Sequence, residues 1–322
     1  MKGMDLKMTG SAQTRKVVRR HKRGPLEIGN FGNAVICIIL ALFCLSCVLP
    51  ILLVYIVSFT DELAITRNGV SFFPAQWSLE AYRMLFGSSL KKIAVCYRNT
   101  LFLTVVGTLL SLWFMTMYGY ALSRKDFKPR QFLTFFAYFT MLFSGGMVAG
   151  YIVNTTIFHL RDTIWVLLLP GLVGAYNIIV LRTFFSSGGN EALIEAAKID
   201  GAGEFRIYAQ IVLPISKPAL ATIGLFTAIS YFSSWFGVLL YIDNENLWTI
   251  QYMLKRVMNE IQLLRSNADL AGSEEGALLL ASLPNESAKM ALTVITMTPV
   301  LAFYPFFQKY FVKGLTLGSV KG

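Results

Sequence analysis

Charged residues are scarce in this chain of 322 residues. Asp, Glu, Lys and Arg together make up 15% of the sequence, whereas an ordinary soluble domain carries about 25%. Hydrophobic residues reach 55%. A soluble domain of this length would bury a large apolar core, but it would not need long runs without any charge. The shortage of charge therefore excludes an ordinary soluble domain and indicates a membrane protein with several spans.

Histidine and cysteine are also few, with two and four residues respectively. Cys44 and Cys47 form a C-x-x-C pair, but the pair lies inside an apolar run and lacks the βαβ pattern that surrounds a redox motif. Packing within an apolar helix and a redox or metal role both remain open for these cysteines. His21 belongs to a basic arm and His159 to a short loop. We expect neither a metal site nor a catalytic residue in this chain.

Six runs of the sequence contain almost no charge and are long enough to cross a bilayer. Each holds the ~17–25 apolar residues that a spanning helix needs. Helices are expected because every backbone amide in hydrocarbon must be paired internally, and the ~10-residue alternating segments of a membrane β-barrel are missing. The sequence therefore predicts an all-α integral membrane protein with six transmembrane helices. The predicted spans are 33–58, 99–122, 132–153, 163–184, 218–242 and 290–308.

The distribution of Lys and Arg predicts the orientation. Eighteen of the 29 basic residues fall in segments that are cytoplasmic if the N-terminus is inside, and cytoplasmic loops carry such an excess. We therefore expect a basic cytoplasmic N-terminal arm (1–32), a transmembrane domain (33–308) and a cytoplasmic C-terminal tail (309–322). This bias explains the net charge of +11 without nucleic acid as a partner. The arm can also contact anionic membrane lipid.

Between the fourth and fifth predicted spans lies a polar stretch, EALIEAAKIDGAGEFRIYAQIVLP at 191–214, that is too polar to cross a bilayer. Asn190 is a suitable N-cap for a first short helix over 191–199. The pair Asp200 and Gly201 then breaks that helix, because glycine adopts a positive φ at little cost. The stretch predicts a helix, a glycine break and a second helix.

The second helix is predicted over Glu204–Leu213 and ends at Pro214, which cannot continue it. The whole loop, 186–217, is then a compact helical unit that is joined directly to two spans and can convey force to them. An interfacial helix resting on lipid is the alternative, but its carboxylates would face an anionic leaflet.

This stretch resembles the EAA signature of importer permeases in the ATP-binding-cassette (ABC) class, E-A-A-x-x-x-G-A followed by I-x-L-P. The runs NTLFLTVVGTLLSLWFMTMYGYALSR, FSGGMVAGYIV, LPGLVGAYNIIVLRTFF and YPFFQKYFVKGLTLGSVKG are similar to carbohydrate-importer permeases. Among these, the chain is most similar to the branch of the maltose permease's smaller subunit and of Gram-positive oligosaccharide systems, over about 30–322. The residues that match the signature are Glu195, Ala196, Ala197, Asp200, Gly201, Ala202, Ile211, Leu213 and Pro214.

The resemblance implies a type I ABC importer permease fold and a permease subunit for carbohydrate, with oligosaccharide favoured, in the bacterial cytoplasmic membrane. The implied partners are a homologous second permease, two ABC ATPase subunits that bind ATP and Mg, and an extracellular solute-binding lipoprotein. The chain itself would bind no cofactor and would not be an enzyme. The loop 186–217 would contain the coupling helix that docks on the ATPase. The implied coupling residues are Glu191, Glu195, Ala196, Ala197, Asp200, Gly201, Ala202 and Pro214.

A sugar path through the spans needs aromatic faces and hydrogen-bonding groups. The run ISYFSSWFGVLL in the fifth predicted span concentrates such residues. These side chains could line the path, or they could hold helices together through hydrogen bonds. The candidate path residues are Asn154, Tyr176, Asn177, Ser230, Tyr231, Ser233, Ser234 and Trp235.

Two further patterns concern the shape of the protein. FSGGMVAGY at 143–151 could allow close helix packing, or it could break its helix to line the pathway. In the outer loop 243–289, apolar residues recur with a helical period over 247–266. That period predicts an amphipathic helix that lies on the outer surface or caps the spans.

Other functions remain open at this point. The chain could serve an ABC importer of a non-sugar solute. An autonomous channel or secondary transporter would need intramembrane ionisable residues or an inverted repeat, and a membrane enzyme would need a nucleophile, a metal or paired carboxylates. Neither set of features is visible in the sequence. A scaffold or receptor would not need the EAA stretch.

Overall fold

The computed structural model describes residues 30–266 and 286–319. Most of the basic arm 1–32 lies outside these residues. Regular structure within them is helical, apart from one isolated antiparallel bridge between Thr60 and Trp77. The prediction of an all-helical protein is confirmed.

The helices are numbered in chain order, and four short turns of other helix types interrupt or follow them. Two turns are π-helical, Val153–Ile157 and Tyr208–Val212, and two are 3-10 turns, Leu169–Gly171 and Glu245–Leu247. The α-helices are α1 (Asn30–Ser58), α2 (Glu62–Asn68), α3 (Glu80–Ser88), α4 (Leu90–Ser123), α5 (Arg130–Leu142), α6 (Gly146–Ile152), α7 (Ile164–Leu168), α8 (Ala175–Phe185), α9 (Gly188–Ile199), α10 (Glu204–Ile207), α11 (Leu213–Ile215), α12 (Lys217–Phe232), α13 (Phe236–Tyr241), α14 (Ile250–Ser266) and α15 (Glu286–Ser319).

The chain divides into two units, Met1–Ile51 and Leu52–Gly322. In the first unit, the described residues belong to α1, and the side chains of Phe31, Leu42 and Phe43 are exposed. A helix that is apolar all round needs an apolar environment. The exposed side chains of α1 are therefore those expected of a segment that lies in lipid.

Two helices, Phe31–Ser58 and Leu90–Ser123, are each long and apolar enough to cross a membrane. Three further pairs of helices meet that criterion together but are bent, so the described residues contain up to five candidate spans. The sixth predicted span, 290–308, falls within α15. The total of six spans stays a prediction.

The sharpest bend lies in the third predicted span. α5 and the helix Gly146–Ile157 meet at 114°. Gly146 has φ +78°, a conformation that glycine adopts readily, and its N–H donates to the Ser144 hydroxyl at 3.2 Å. The range predicted as one span, 132–153, is therefore two helices. The sequence FSGGMVAGY breaks its helix, as one of its two interpretations predicted, and its role in lining a pathway stays a prediction.

Two other changes of direction affect the fourth and fifth predicted spans. Ile164–Gly171 and Ala175–Phe185 are bent by 43°. Pro170 lies in the 3-10 turn just before the break and cannot donate a helical hydrogen bond. Glu204–Ile215 and Lys217–Phe232 are bent by 80°. The fourth span is thus interrupted, and the fifth begins at a turn.

The larger of two apolar cores packs α4 against α7, α12, α14 and α15. Leu103, Leu168 and Leu292 are almost fully buried there. Ile250 and Met253 of α14 are buried in the same core. The amphipathic helix predicted over 247–266 is confirmed, and its apolar face packs on the protein.

A residue far away in sequence fixes the start of α15. The carboxylate of Glu62 accepts hydrogen bonds from the backbone N–H groups of Glu286 at 3.1 Å and Ser287 at 2.9 Å, and from the Ser287 hydroxyl at 2.8 Å. The first N–H groups of a helix have no partner within it, and a carboxylate there interacts favourably with the helix dipole. Helix α2 thereby caps α15.

Tyr231 of α12 lies at the centre of this larger core. Its hydroxyl donates to the Leu168 carbonyl oxygen at 3.0 Å and lies 3.4 Å from the Ser111 hydroxyl. Its ring lies against Gly107 and Gly171, and a Cβ built on Gly107 would lie only 2.7 Å from a ring carbon. Small residues allow such close approach between membrane helices. The ring therefore joins α4, α12 and the turn after α7.

Gly107→Ala should destabilise the protein by about 1–3 kcal/mol, the usual cost of overpacking a core, because the Tyr231 ring is held by its hydrogen bond to Leu168. We expect a lower midpoint of thermal unfolding in detergent. Gly150→Ala is the matched control, since a Cβ at Gly150 meets no atom within 4 Å. Equal midpoints for the two variants would contradict this role of the ring.

Candidate functional site: a docked helical segment and a polar cleft

The segment Gly188–Ile215, hereafter the α9–α11 segment, connects α8 to α12 and packs one face on a second core. Ile194 and Ala197 of α9 and Ile207 of α10 are buried. They lie against residues of α4 and α8, including Leu181. Burial of a large apolar side chain contributes about 1.5–3 kcal/mol. These contacts hold the segment on the ends of the long helices.

Tyr208, at the start of the second π-helical turn, fastens the segment to α4. Its hydroxyl lies 2.8 Å from that of Thr116, and its ring centroid lies 5.3 Å from that of Tyr120. The Tyr120 hydroxyl in turn donates to the Glu204 carboxylate at 2.5 Å. The segment is therefore joined to α4 by polar as well as apolar contacts.

The turn after α9 is a Schellman motif. Gly201 has φ +78°. Its N–H donates to the Lys198 carbonyl oxygen at 3.0 Å, and the Ala202 N–H donates to the Ala197 carbonyl oxygen at 2.9 Å. These two bonds define the motif, and glycine is the residue that best adopts its left-handed position. The predicted positive φ at Gly201 is confirmed. The separation of Ala197 and Ala202 in the sequence is the one that the hydrogen bond between them requires in this motif.

Ion pairs with the loop after α4 fix the position of α9. Lys125 lies 2.5 Å from Glu191, and Lys198 lies 2.8 Å from Asp126 and 2.9 Å from Glu204. Partial burial by itself raises the pKa of Glu204, but the hydrogen bond from the tyrosine hydroxyl and the nearby ammonium outweigh it, and the pKa is lowered. Exposed pairs contribute little individually. Together they set the orientation of α9 on its apolar contact.

The opposite face of the segment is exposed and mixed in character. Glu195 and Ala196 are exposed, and Glu195 forms no ion pair with any residue that the structure describes. Ile199 and Phe205 are 86% and 74% exposed, and Leu193 is also exposed. Large apolar side chains that are exposed among polar groups are typical of an interaction surface. This face can therefore bind another protein.

The predicted coupling residues divide between these two faces. Ala197 and Ala202 pack on the second core, and Glu191 is held by Lys125. The remaining predicted coupling residues are exposed. They are Glu195, Ala196, Asp200, Gly201 and Pro214.

The predicted start of α9 is wrong. The helix begins at Gly188 and not after Asn190, and Ser187 precedes it in an extended conformation, with φ −67° and ψ 139°. Gly188 and Gly189 are poor helix formers, since glycine weakens a helix by about 1 kcal/mol. That local preference is small beside the packing of α9 on the second core.

The predicted end of the second helix at Pro214 is also wrong. The helix continues to Ile215 through the π-helical turn Tyr208–Val212. A π-turn widens the helix and shifts its hydrogen bonds by one residue. A proline that follows it therefore breaks no i→i−4 hydrogen bond, and its ring clashes less with the carbonyl of residue i−4. The chain changes direction at Ser216, one residue after the helix ends.

A polar cleft of about 500 Å³ lies between α8, α12 and α13, beside the turn after α7. This volume is within the range of small-molecule sites, about 300–1,000 Å³. Amide and hydroxyl groups next to aromatic rings can bind the hydroxyl groups and the apolar ring faces of a sugar. Four of the predicted path residues line the cleft. They are Asn177, Ser230, Tyr231 and Ser234.

The other four predicted path residues do not line the cleft. Asn154 contributes indirectly, because its amide nitrogen donates to the Tyr241 hydroxyl at 3.3 Å. Tyr176 is 68% exposed, and Ser233 follows the last residue of α12. Trp235 precedes α13. The structure therefore brings together only half of the predicted set.

Tyr231 both packs between helices and lines the cleft. Its hydroxyl is occupied by the Leu168 carbonyl oxygen, as the packing interpretation predicted. One side of the residue nevertheless borders the cleft. Tyr231 fixes the cleft wall, which leaves the amide of Asn177 and the hydroxyls of Ser230 and Ser234 as groups for a ligand.

Tyr151 and Tyr241 are not among the predicted path residues. Their rings stack with centroids 5.6 Å apart and planes 10° apart, and Tyr241 lines the cleft. The sequence contains a signal for Tyr241. Over 227–241, small or polar residues recur every three or four positions, as they do on one face of a helix. These residues are Thr227, Ser230, Ser234, Gly237 and Tyr241.

The polar groups that line the cleft are neutral amides and hydroxyls. No carboxylate, imidazole or thiol is found among its described lining residues. Within 30–266 and 286–319, no three His, Cys, Asp or Glu side chains come close enough together to hold a metal ion. The groups that remain are neutral donors and acceptors of hydrogen bonds.

No protein-family model matches this chain. The chain is 38% identical over 286 residues to the polygalacturonan/rhamnogalacturonan transport system permease protein YtcP of Bacillus subtilis (strain 168). This match covers 88% of this chain and 96% of YtcP. The chain is 37% identical over 277 residues to protein LplC of the same organism, covering 85% and 90%. Its fold is similar to that of a bacterial ABC transporter involved in the import of the acidic polysaccharide alginate, with a TM-score of 0.74, 31% identity and coverage of 87% and 96%.

This chain belongs to the family of permease subunits of carbohydrate ABC transport systems. The resemblance drawn from the EAA stretch and its flanks is confirmed. The chain is a transport component rather than an enzyme. Permeases of this family are inner-membrane components. In ABC importers of this family, separate ATPase subunits handle ATP.

Gly201→Ala should loosen the turn after α9 by about 1–2 kcal/mol, because a positive φ is unfavourable for any residue with a Cβ. That cost corresponds to a roughly 5- to 30-fold larger population of the open turn, measurable as faster hydrogen exchange of the Ala202 amide. Gly203→Ala is the control, since Gly203 has φ −69° and open space around it. Equal exchange rates in both variants would contradict the proposed turn energetics.

Proposed function

We propose that this chain is one permease subunit of an ATP-driven oligosaccharide importer, and that the α9–α11 segment is the element on which the ATPase acts. The complex contains a homologous second permease, two ABC ATPase subunits that bind ATP and Mg, and an extracellular solute-binding lipoprotein. Six helices span the membrane, and both termini and the α9–α11 segment lie in the cytoplasm. The observation that carries this proposal is that the segment is fixed on one face and exposes apolar and acidic groups on the other.

The exposed face supports docking of the ATPase. A protein that covers Ile199 and Phe205 removes two large apolar side chains from water, at about 1.5–3 kcal/mol each. Glu195 lies on the same exposed side of α9 and can pair with a basic residue of the ATPase. Charged groups around an apolar contact fix the partner and its orientation.

The fixed face supports transmission of movement. Tyr208 joins the segment to α4, Ile194 packs with residues of α8, and α11 leads into α12 after Ser216. These three helices also contribute residues to the polar cleft. A displacement that the ATPase imposes on the segment is therefore delivered to the walls of the cleft.

The cleft supports a sugar path. It presents neutral amide and hydroxyl groups next to the rings of Tyr231 and Tyr241. Phe226, which also lines the cleft, is exposed, and in this proposal the second permease subunit covers it. YtcP is named for polygalacturonan and rhamnogalacturonan, and the similar structure serves import of alginate. Carbohydrates of several linked units in both names support an oligosaccharide as the substrate here.

Glu195→Lys should reduce the ATPase that co-purifies with the tagged chain in mild detergent by about tenfold or more, because a reversed charge at an interface opposes the basic partner. Glu195 is exposed and forms no ion pair within the described residues, so the thermal midpoint of the chain should not change. Quantitative mass spectrometry of the purified complex measures the effect.

The control for this charge reversal is Glu80→Lys. Glu80 is an exposed carboxylate in the first turn of α3, on the predicted outer side, and its reversal should leave the recovery of ATPase unchanged. Full recovery of ATPase with Glu195→Lys would contradict docking at this face, as would an equal loss with Glu80→Lys.

Ser230→Leu should block sugar uptake by cells while leaving the recovery of ATPase intact, because the larger side chain fills the cleft and removes a hydroxyl from its wall. Ser233→Leu makes the same change three residues away, at a position that does not line the cleft. Uptake of labelled oligosaccharide compares the two. Normal uptake with Ser230→Leu would exclude the cleft as the path.

A further inference from the structure

A second cavity, of about 550 Å³, lies apart from the polar cleft, between the loop after α4, the first turns of α5 and the end of α8. It differs from the polar cleft in the positive charge of its lining residues. Lys125, Lys128, Arg130 and Arg182 line it, and no carboxylate is among its described lining residues. Four cations around one cavity repel each other unless an anion lies between them.

Three of these cations have no internal counter-charge. Lys125 is paired with Glu191, but Lys128, Arg130 and Arg182 form no ion pair with any residue that the structure describes. Arg130 and Arg182 are also half-buried. A half-buried guanidinium without a carboxylate is unusual, because loss of water must be compensated by a partner. The pattern points to an anionic ligand.

An unpartnered hydroxyl is buried beside the same cavity. Thr134 of α5 lines it, and its Oγ1 is buried without a hydrogen-bond partner in the described part of the chain. Buried polar atoms nearly always have a partner. The two guanidinium groups that line the cavity are complementary to an oxyanion such as a phosphate, which guanidinium binds in a bidentate manner.

The surface beside the cavity favours a lipid over a soluble phosphate. Phe132, Phe135 and Phe136 of α5 are exposed, and Leu142 at the other end of the helix is 77% exposed. Phe135 and Tyr138 also line the cavity. The cations are therefore continuous with an apolar surface that runs the length of α5. An amphiphile with an anionic head and apolar chains fits both parts.

We propose that this cavity binds the headgroup of an anionic phospholipid of the cytoplasmic leaflet, with its phosphate between Lys128, Arg130 and Arg182 and its acyl chains along α5. The proposal rests on the orientation given under the proposed function, in which the loop after α4 is cytoplasmic. Basic cavities between membrane helices on that side are suited to anionic headgroups. Because Lys125 also contacts Glu191 of α9, the bound lipid lies beside a contact that holds the α9–α11 segment.

The test compares a double variant of the cavity, Arg130→Gln with Arg182→Gln, with a control that removes the same charge elsewhere. The control is Arg206→Gln with Lys217→Gln, two exposed residues near the same predicted face. Each full-length tagged chain, with the subunits that accompany it, is placed in bilayer discs of phosphatidylcholine with increasing phosphatidylglycerol. Native mass spectrometry then counts the lipid that stays bound.

We expect the wild type and the control to retain phosphatidylglycerol in preference to phosphatidylcholine, and the cavity variant to bind it about 30-fold more weakly, from the usual contribution of two basic residues. Unchanged recovery of the ATPase with the cavity variant shows that it is folded. Equal retention by the cavity variant and the wild type would overturn the proposal. Equal retention of both lipids by the wild type would do so too.

Two further outcomes separate the alternatives. Release of the lipid by excess inorganic phosphate, together with binding of phosphate itself, would assign the cavity to a soluble anion and overturn the lipid proposal. Labelling of a cysteine at Lys128 by an impermeant reagent from outside the cell would overturn the orientation and the leaflet. Failure of the ATPase to dock at Glu195 would affect neither result, so the two proposals fail separately.

Discussion

The arrangement of this permease depends on the burial of Ile194, Ala197, Ile207 and Tyr208 beneath the ends of α4 and α8. A helix of 12 residues such as α9 is marginally stable in water by itself, and its exposed ion pairs contribute little. Packing on the second core must therefore supply most of its stability. That packing also decides which face remains free, and so it determines where a partner can bind.

The same packing explains why the segment contains small residues at several positions. The Schellman turn at Gly201 reverses the chain within a few residues, which places α9 and α10 on the same core. Ala197 and Ala202 lie on the core side of that turn, where larger side chains would lift the helices away. The EAA stretch is thus first a requirement of local folding, and its exposed residues, Glu195 above all, are the part that is available for a partner.

Breaks in the helices have a matching role in the membrane domain. The chain bends after α5, after α7 and before α12. The polar cleft borders the turn after α7 and the break between α12 and α13. Tyr231 holds that region in shape through its contacts with Gly107, Gly171 and Leu168. A rigid wall around neutral polar groups is suited to a sugar.

Much of this architecture could be predicted from the sequence, because hydrophobic runs and glycine positions act locally. The helical class, the break at Gly146, the turn at Gly201 and the amphipathic α14 all follow from local patterns. The start of α9 and the continuation past Pro214 could not be predicted, because packing on the second core and the π-helical turn outweigh the preferences of single residues. The partners of the cleft residues depend on the three-dimensional fold: Asn154 reaches Tyr241, and Tyr231 reaches Leu168, only after distant segments have packed.

The most direct test of the coupling proposal is photo-cross-linking at Ile199, the most exposed apolar residue of α9. A benzophenone amino acid at Ile199 and another at Leu63, an exposed residue of α2, are compared in intact cells. The proposal predicts an adduct with an ABC ATPase from position 199 and none from position 63. An assembled, transport-active complex without an ATPase adduct from position 199, or with an adduct to an extracellular protein there, would contradict it.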